Sequence, residues 1–398
     1  MGRSVAVGAF LLACAFAASA CGDADATGDT TPPPPPPVDP CPQIALAGPG
    51  FKSVSADTRI AMALRKNGTV VCWGNQSSGD ECLGELNGTT DWYYEPVESL
   101  GLSCVIALVM SDEYGTALTA RGEGLLWSQN AGGDLNPTEP WPNDAGMPIR
   151  KVVGLGKLEM IRTALRGAAA VNEAGDLYRW GFLWNRIEEP ELLEVPGIIT
   201  SFDVGLSHLC AVNDAHEVWC VGENGWGVVG DGTQIDRAQP VQVLGLPDAS
   251  AVAVSGSHTC AITTDGAVWC WGWDRGGFGR GVVPGSDDFI LQPIPSTPFP
   301  PAVMLDLDPA SGCAVTVHQD LYCWGKNWYE RFDPDPDVEL LTEPTLVPGA
   351  GKILEVALGI MHVCVLRVDG TIWCAGEPTY LGSVRAPGDT SWGPIAAQ

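Results

Sequence analysis

Hydrophobic residues along the chain occur in short runs that Gly, Pro and Asp interrupt, and one arrangement of runs recurs. In Cys260–Gly272, with the sequence CAITTDGAVWCWG, two mostly apolar runs flank an Asp-Gly pair. Short runs of this kind on either side of a turn signal predict a β-hairpin. Six related strings begin elsewhere in the chain, at Met62, Thr116, Ala169, Cys210, Cys313 and Cys364.

The seven strings mark a repeat. The residue that precedes the usual Trp-Gly pair recurs at intervals of 41 to 54 residues, at Cys72, Leu126, Arg179, Cys220, Cys270, Cys323 and Cys374. Each unit contains a β-branched run, the hairpin, a Gly-rich loop and a final short apolar run, which predicts four strands. Four-stranded units at this period are typical of propeller blades, and closing the ring protects the strand edges. We therefore predict an all-β fold, a seven-bladed β-propeller of four-stranded antiparallel blades over residues 41–398.

Three units share a lead sequence of the type Gly-x-x-His or Ser-Gly-x-His, at Gly205–His208, Ser255–His258 and Gly359–His362. In addition, Trp219–Thr233 reads WCVGENGWGVVGDGT. These strings resemble the repeats of RCC1-type (regulator of chromosome condensation type) propellers, and the chain is similar to bacterial RCC1-like proteins. The resemblance covers about residues 43–395 and implies the same seven-bladed fold. Units 2 and 3 lack the lead sequence and both cysteines, so their boundaries are less well defined.

The ends of the chain offer two ways to close the ring. Residues 41–46 and residues 391–396 each contain a short apolar run. Either run could supply the outer strand of the last blade, and the sequence leaves both open.

The paired cysteines predict disulfides. Cys260 and Cys270 are equidistant from Asp265, so pairing about that centre places them opposite each other across the hairpin, with Gly266 in the left-handed position of the turn. An exported chain meets an oxidising environment, in which such bonds persist. One hairpin supplies only two thiolates, whereas structural zinc takes four ligands, so a metal site is disfavoured. The predicted intrablade disulfides join Cys210 to Cys220, Cys260 to Cys270, Cys313 to Cys323, and Cys364 to Cys374.

Four other cysteines, Cys41, Cys72, Cys82 and Cys104, allow three pairings. Met62 stands where a hairpin partner of Cys72 would be expected. We favour Cys72–Cys82 with Cys41–Cys104.

The N-terminus predicts export. Arg3 and an apolar run over residues 5–18 are typical of a signal peptide, which we assign to residues 1–20. The string Ala18-Ser19-Ala20-Cys21 resembles the lipobox of bacterial lipoproteins, which implies a lipidated Cys21; cleavage after Ala20 without lipidation is the alternative. Residues 21–40 then form an acidic and polyproline tether. The expected location is the outer membrane or the cell surface of a bacterium, with the lipid as the sole membrane attachment.

The net charge and the absence of known catalytic motifs argue against several classes of function. A formal net charge of -27 argues against nucleic-acid binding, which needs clustered Lys and Arg. No P-loop, G-x-S-x-G or H-E-x-x-H string occurs, so we expect no enzyme, cofactor or metal site. His208, His258 and His362 share one repeat position, which favours a structural role. The acidic string at Asp333–Glu339 lacks the Gly and Glu of a calcium loop and is interpreted as solvated.

Six aromatic residues fall in the variable loop after the Trp-Gly position, and loops on a rigid scaffold commonly carry binding residues. The candidate ligand-binding residues are Trp184, Trp226, Trp273, Trp328, Tyr329 and Tyr380. The alternative is that these side chains cover the blades.

The favoured function is a monomeric, envelope-anchored recognition module that binds an extracytoplasmic protein through one face of the propeller. Carbohydrate binding is the alternative. A hydrolase or lyase is less favoured, and so is the guanine-nucleotide exchange role that the family resemblance implies, because an exported acidic chain would meet no GTPase.

Overall fold

A computed structural model describes residues 41, 49–57, 60–75, 92–99, 101–111, 114–128, 138–140, 149–164, 167–181, 187–281, 289–383 and 389–395. Over these residues the chain forms β-strands and two short 3-10 turns, at Trp328–Glu330 and Pro378–Tyr380. None of the helical segments in the described part is long and apolar enough to cross a membrane.

The strands form seven antiparallel sheets, one per sequence repeat, which we call blades 1 to 7. Blade 1 contains β1 (Phe51–Ala56), β2 (Ile60–Arg65), β3 (Val70–Asn75) and β4 (Trp92–Glu98). Blade 2 contains β5 (Val105–Ser111), β6 (Tyr114–Thr119), β7 (Gly124–Ser128), β8 (Thr138–Pro140) and β9 (Arg150–Val152). Blade 3 contains β10 (Leu158–Ala164), β11 (Gly167–Asn172), β12 (Leu177–Gly181) and β13 (Ile187–Leu193). Blade 4 contains β14 (Ile199–Val204), β15 (His208–Asn213), β16 (Val218–Gly222) and β17 (Arg237–Gln242). Blade 5 contains β18 (Ala249–Val254), β19 (His258–Thr263), β20 (Val268–Trp273) and β21 (Phe289–Pro295). Blade 6 contains β22 (Ala302–Asp308), β23 (Ser311–Thr316), β24 (Leu321–Lys326) and β25 (Leu340–Leu346). Blade 7 contains β26 (Ile353–Leu358), β27 (His362–Arg367), β28 (Ile372–Gly376) and β29 (Gly393–Pro394).

Six blades have the predicted four strands in sequence order, which confirms the propeller fold. Blade 2 differs, because its order is β5-β6-β7-β9-β8. The segment after β7 turns back on itself as the short pair β8 and β9, and β9 takes the place of the fourth strand. The missing Trp-Gly signal in this repeat is consistent with its divergent outer edge.

The first strands of the blades surround the propeller axis, because each contacts the first strand of the next blade, as β14 does β18 and β22 does β26. The ring closes where β1 of blade 1 contacts β26 and β27 of blade 7. The outer strand of blade 7 is β29, so the C-terminal run closes this blade. The alternative N-terminal run lies, except for Cys41, outside the described residues.

The hairpins have the predicted register. Cys260 lies opposite Cys270, and Gly266 in the turn between them has a φ of +87°. An L-residue with a side chain rarely adopts this conformation, which explains the Gly at this point of the repeat. All four predicted intrablade disulfides are present. They close loops at the same position of blades 4 to 7, where each contributes about 2–3 kcal/mol by constraining the unfolded chain.

The remaining cysteines connect less regular parts of the chain. Cys41 is bonded to Cys104, as favoured from the sequence. Cys72 lies opposite Met62 and is also disulfide-bonded. Its expected partner, Cys82, lies outside the described residues.

The core lies between blades, and tryptophans fill it. Five tryptophans at the Trp position of the repeat are almost fully buried: Trp73, Trp127, Trp180, Trp271 and Trp324. In three cases the loop of the preceding blade covers the ring and accepts its N–H. Trp271 Nε1 donates to Val228 O at 2.7 Å, Trp324 Nε1 to Gly277 O at 2.7 Å, and Trp73 Nε1 to Tyr380 O at 3.1 Å. Each of these three blades is therefore locked to its neighbour by a loop that follows the third strand.

Candidate functional site

The propeller has two faces that differ in which connections they carry. We call the first the loop face: it carries the links from strand one to strand two of each blade and the long loops from strand three to strand four. The opposite turn face carries the hairpin turns between strands two and three and the links between blades. The alternation of strand directions within each blade dictates this division. Five of the six predicted binding aromatics are among the described residues, and all five lie on the loop face, four in the loops between strands three and four and Trp273 at the end of β20.

A buried Asn holds the loop of blade 4 in shape. Asn224 is fully buried, and its Nδ2 donates to Thr233 O at 2.9 Å and to Ile235 O at 3.2 Å. Its Oδ1 accepts from Val229 N at 2.9 Å. One side chain thus connects the start of the loop to its middle and its end, and these hydrogen bonds fix the conformation of the loop.

The loops of blades 5 and 6 also place a buried polar side chain at this position. In blade 6, Asn327 Nδ2 donates to Asp333 O and to Val338 O, both at 2.9 Å. In blade 5 the position holds Asp274, which is buried and pairs with Arg280 at 2.6 Å. The sequence pattern locates these loops but does not indicate this internal bracing.

Two of the predicted aromatics meet at the border of blades 4 and 5. The rings of Trp226 and Trp273 have centroids 5.3 Å apart and are tilted by 45°. Trp226 is 42% exposed, although it sits on a braced loop. Trp273 also contacts Phe289 at 6.0 Å, and the guanidinium of Arg275 lies 4.6 Å from the Trp273 ring. We call these four residues the aromatic cluster; Phe289 and Arg275 are not among the residues that the sequence pattern indicates.

Trp328 and Tyr329 form a second exposed pair on the loop of blade 6. They are 40% and 47% exposed, and Tyr329 has a φ of +58°. Behind them lies Arg331, which is fully buried and whose guanidinium is 5.9 Å from the Trp328 ring. Three of the described large aromatics are at least 40% exposed, and all three, Trp226 included, lie on the loop face.

One predicted binding residue among the described ones does not join this surface. Tyr380 is only 7% exposed and stacks on His362 at 5.7 Å, so it packs at the junction of blades 7 and 1. This corrects the expectation for Tyr380, and the cause is that the blade 7 loop inserts against Trp73 at this point. Trp184 lies outside the described residues, as does Cys21.

The three recurring histidines are buried at the start of the second strand. Burial lowers the pKa of His208 to about 3, of His258 to about 4 and of His362 to about 3. His208 Nε2 lies 2.8 Å from Thr259 Oγ1, whose hydroxyl donates to Val228 O, so this histidine links blade 4 to blade 5. His258 Nδ1 contacts Ser255 Oγ at 2.9 Å. Neutral, buried side chains in these contacts serve packing.

Blade 6 has Ser311 at the histidine position and uses a buried ion pair instead. Arg331 Nη2 lies 2.6 Å from Asp308 Oδ2, and both side chains are shielded from solvent. Arg331 also donates to Ser311 Oγ and, across the blade border, to Gly359 O in blade 7. No sequence pattern indicates this pair, because its members come from different connections of the blade.

Carboxyl groups on the first strands connect neighbouring blades around the axis. Val254 N donates to Asp203 Oδ2 at 2.7 Å, and Leu358 N donates to Asp306 Oδ2 at 2.7 Å. Glu355 accepts from Ser53 Oγ at 2.9 Å and from Val54 N at 3.1 Å. Burial raises the pKa of Asp306 and of Glu355 to about 7, and raises the pKa of Asp203. These contacts occupy the carboxyl groups in holding blades together.

The raised pKa of Asp306 predicts a pH-dependent stability. Between the unfolded pKa near 4 and the folded pKa near 7, the folded chain binds a proton that the unfolded chain lacks. The contribution of Asp306 to stability is therefore complete below pH 4 and lost as the pH rises to 7. Relative to Asp306→Asn, the free energy of unfolding of the native protein should fall over this range by up to about 1.4 kcal/mol per pH unit. Urea titrations at half-unit steps measure this difference.

The comparison with the Asn variant is needed because the buried histidines act in the opposite direction. Their lowered pKa values mean that the unfolded chain binds more protons below about pH 6.5, so they favour stability as the pH rises. Both proteins contain these histidines, and the contribution cancels in the difference. A difference that stays constant from pH 4.5 to 7.5 would contradict the assignment.

No group of three or more His, Cys, Asp or Glu residues is arranged to hold a metal ion in the part of the chain that the structure describes.

The fold places the protein in the class of seven-bladed β-propellers. The exposed large aromatic side chains among its described residues all lie on the loop face. The profile of a family described as "Regulator of chromosome condensation (RCC1) repeat" matches residues 249–279, and a second profile with this description matches residues 215–262. The chain thus contains sequence that matches RCC1 repeats over residues 215–262 and 249–279, within a seven-bladed, RCC1-like propeller.

Comparison with curated proteins gives distant relatives. The chain is 26% identical over 301 residues to the ultraviolet-B receptor UVR8 of Arabidopsis thaliana, which covers 71% of this chain and 66% of UVR8. It is 26% identical over 332 residues to the human E3 ubiquitin-protein ligase HERC2, covering 78% of this chain. The match spans 7% of HERC2, so the chain corresponds to a small part of that relative.

Among solved structures, Prp20p of Saccharomyces cerevisiae aligns with a TM-score of 0.72 at 16% identity and covers 90% of each chain. Prp20p is described as having binding properties to Gsp1p and histones. Human WBSCR16 aligns with a TM-score of 0.65 at 16% identity, covering 80% of this chain and 87% of its own. At these identities the likeness establishes the fold alone.

Proposed function

We propose that the protein is a non-catalytic recognition module that binds a protein partner through the loop face. The aromatic cluster is the observation that carries the proposal. Its exposed Trp226 ring stands on a loop braced by Asn224 and abuts Trp273, so large apolar area is presented at little entropic cost. A rigid aromatic anchor of this kind is characteristic of protein-binding surfaces.

The cluster geometry favours a protein partner over a glycan. The Trp226 and Trp273 rings are tilted by 45° and form a wedge rather than a flat shelf. A wedge offers a notch to an inserted side chain, whereas sugar rings stack best on a planar platform. The guanidinium of Arg275 beside the Trp273 ring also favours a protein partner, because Arg and Trp are enriched among the residues that dominate the binding energy of protein interfaces.

Alanine at Trp226 and Trp328 should abolish capture of the partner while the melting temperature stays within about 2 °C of the native value. The measurement is affinity capture from envelope extracts of the source organism with the full chain, followed by mass spectrometry. Ile198→Ala and Val317→Ala are matched controls, since both side chains are exposed and apolar but lie on the turn face. Unchanged capture by the Trp variants, or their unfolding, contradicts the proposal.

We propose in addition that the N-terminal segment anchors the module through Cys21. The disulfide of Cys41 with Cys104 supports a particular orientation, because Cys104 lies on the turn face, where Cys104 O accepts from Ala120 N in a hairpin turn. A segment that leaves the propeller there would direct the loop face away from the anchor. The partner would then be met on the side remote from the membrane.

Replacing Cys21 by Ser should move the protein from the membrane fraction to the soluble fraction, since the lipid is the sole attachment proposed. Immunoblots of fractionated cells measure the distribution. Cys14→Ser is the matched control, because Cys14 lies within the apolar run of the predicted signal peptide, and this variant should remain in the membrane fraction. Retention of the Cys21 variant in the membrane fraction would overturn the anchoring proposal and leave the binding proposal intact.

A further inference from the structure

The exposed charges that the structure describes in the loop-face loops of blades 4 to 7 are almost all negative. In the described loops between strands three and four of blades 4 to 7, five exposed acidic residues face a single exposed basic residue, Arg275. The acidic residues are Glu223, Asp236, Asp335, Asp337 and Glu339. The other basic side chains of these described loops, and Arg237 at the start of β17, form ion pairs: Arg237 with Asp231, Arg280 with Asp274, and Arg331 with Asp308.

The turn face is acidic too, but its described turns expose no aromatic side chain. In blades 4 to 7 these turns expose one basic residue, Lys352, against four acidic residues, Asp214, Asp248, Asp265 and Asp369. The loop face therefore differs from the turn face in carrying exposed aromatic rings beside its carboxylates.

Exposed aromatic rings and carboxylates come from the same braced loops. In blade 6, Trp328 and Tyr329 open the loop and Asp335 and Asp337 follow within it, all of them exposed. Asn327 bonds to the backbone at both Asp333 and Val338, which folds the acidic end of the loop back onto its aromatic start. In blade 4, Glu223 and Asp236 lie at the two ends of the loop that carries Trp226.

One contact within the chain displays the chemistry that this surface offers. The guanidinium of the exposed Arg275 lies 4.6 Å from the centroid of Trp273, a cation–π arrangement. A cation from a partner would find similar aromatic faces at Trp226, Trp328 and Tyr329, with carboxylates on the same loops to pair with it.

We propose that the loop face recognises a cationic segment of its protein partner, a stretch that carries Lys or Arg. The aliphatic stems of these side chains cover the exposed rings, their charged ends meet the carboxylates of the blade 4 and blade 6 loops, and the acidic field steers the encounter. This inference rests on the proposed function and names the chemical class of the partner.

The test uses fluorescein-labelled twelve-residue peptides and the full chain, with binding followed by fluorescence anisotropy at about 50 and about 200 mM salt. One peptide alternates Arg with Ser and Leu; in two others citrulline or Glu replaces each Arg. The Arg peptide should bind at least about tenfold more tightly than the citrulline peptide and lose affinity as salt rises, and the Glu peptide should not bind.

Charge-neutralising variants separate a local site from the overall charge. Asp335→Asn with Asp337→Asn should weaken binding of the Arg peptide about three- to tenfold. The matched pair on the turn face, Asp176→Asn with Asp248→Asn, changes the net charge equally and should alter binding less than about twofold. The paired change of Trp226 and Trp328 to Ala should weaken binding about tenfold.

Equal losses in the two neutralised pairs would show attraction to net charge alone and overturn the inference, as would equal binding of the citrulline peptide. Capture of a partner that depends on Trp226 and Trp328, together with no preference for the Arg peptide, would overturn the inference but leave the proposed function standing. Loss of both would remove the loop face as a binding surface.

Discussion

Replacing Arg331 with Met should lower the free energy of unfolding by about 3–5 kcal/mol. The guanidinium is completely buried, and its removal leaves Asp308, itself 4% exposed, as an uncompensated charge. The change also removes the bonds to Lys326 O at 3.1 Å and to Gly359 O, so the contact from blade 6 to blade 7 weakens. Met fills a similar volume, which keeps the loss of packing small, so the measured loss reports the ion pair together with these hydrogen bonds.

The double variant Arg331→Met with Asp308→Asn tests this explanation. Asn cannot be charged, and so the double variant should be more stable than Arg331→Met alone, with a coupling of at least about 1 kcal/mol between the two sites. Equilibrium urea unfolding of the four proteins gives the cycle. A loss below about 1 kcal/mol for Arg331→Met, or strict additivity, would mean that the pair contributes little to the folded state.

The sequence predicts most of the fold because the repeat encodes local geometry. A hairpin register depends on residues that are near in sequence, so the position of Cys260 and Cys270 about Asp265 is sufficient to pair them. The left-handed turn requires Gly266 for the same local reason. Where the repeat is degraded, as in blade 2, the local signal fails and does not predict the fifth strand.

Contacts between blades are beyond the reach of such patterns. Asp306 and Leu358 are 52 residues apart and meet only because the ring places their strands side by side. In blade 6, Arg331 has the role that a histidine at the start of the second strand has in blades 4, 5 and 7. Arg331 comes instead from the loop between strands three and four. The sequence gives a weak indication of these carboxylates, because Asp203 and Asp306 occupy the same position of the first strand. This shared position does not show which residue of the next blade each carboxylate contacts.

The sequence predicts the exposed aromatic surface of the loop face at the level of loops and not of side chains. In blade 4 the apolar insertion occurs at Val228 and Val229, which leaves Trp226 outside on the surface. In blade 7 it occurs earlier, at Leu381, and draws the adjacent Tyr380 in with it. Loop length before the insertion therefore decides whether an aromatic residue packs or is presented, and this length cannot be derived from the aromatic pattern alone.

Trp324→Ala should cost about 3–5 kcal/mol of the free energy of unfolding, because it opens a cavity between blades 5 and 6. The ring is fully buried, lies over Gly312 and the blade 5 loop, and contacts Phe299 at 5.9 Å. Since the loop of blade 5 closes over this ring, the same change should increase hydrogen exchange at Gly277 and Phe278. Thermal and urea unfolding measure the loss, and exchange with mass spectrometry locates it.

Phenylalanine at Trp324 separates the hydrogen bond from the volume. Trp324→Phe keeps an aromatic ring but removes the N–H that Gly277 O accepts, leaving that buried carbonyl without this donor at a cost of about 1–3 kcal/mol. Trp180→Phe is the matched control, because Trp180 is equally buried but its Nε1 makes no hydrogen bond to the described residues. The cost at Trp324 should therefore exceed the cost at Trp180. Equal costs would mean that packing of the indole accounts for the whole effect, and that its hydrogen bond to Gly277 O contributes nothing measurable to stability.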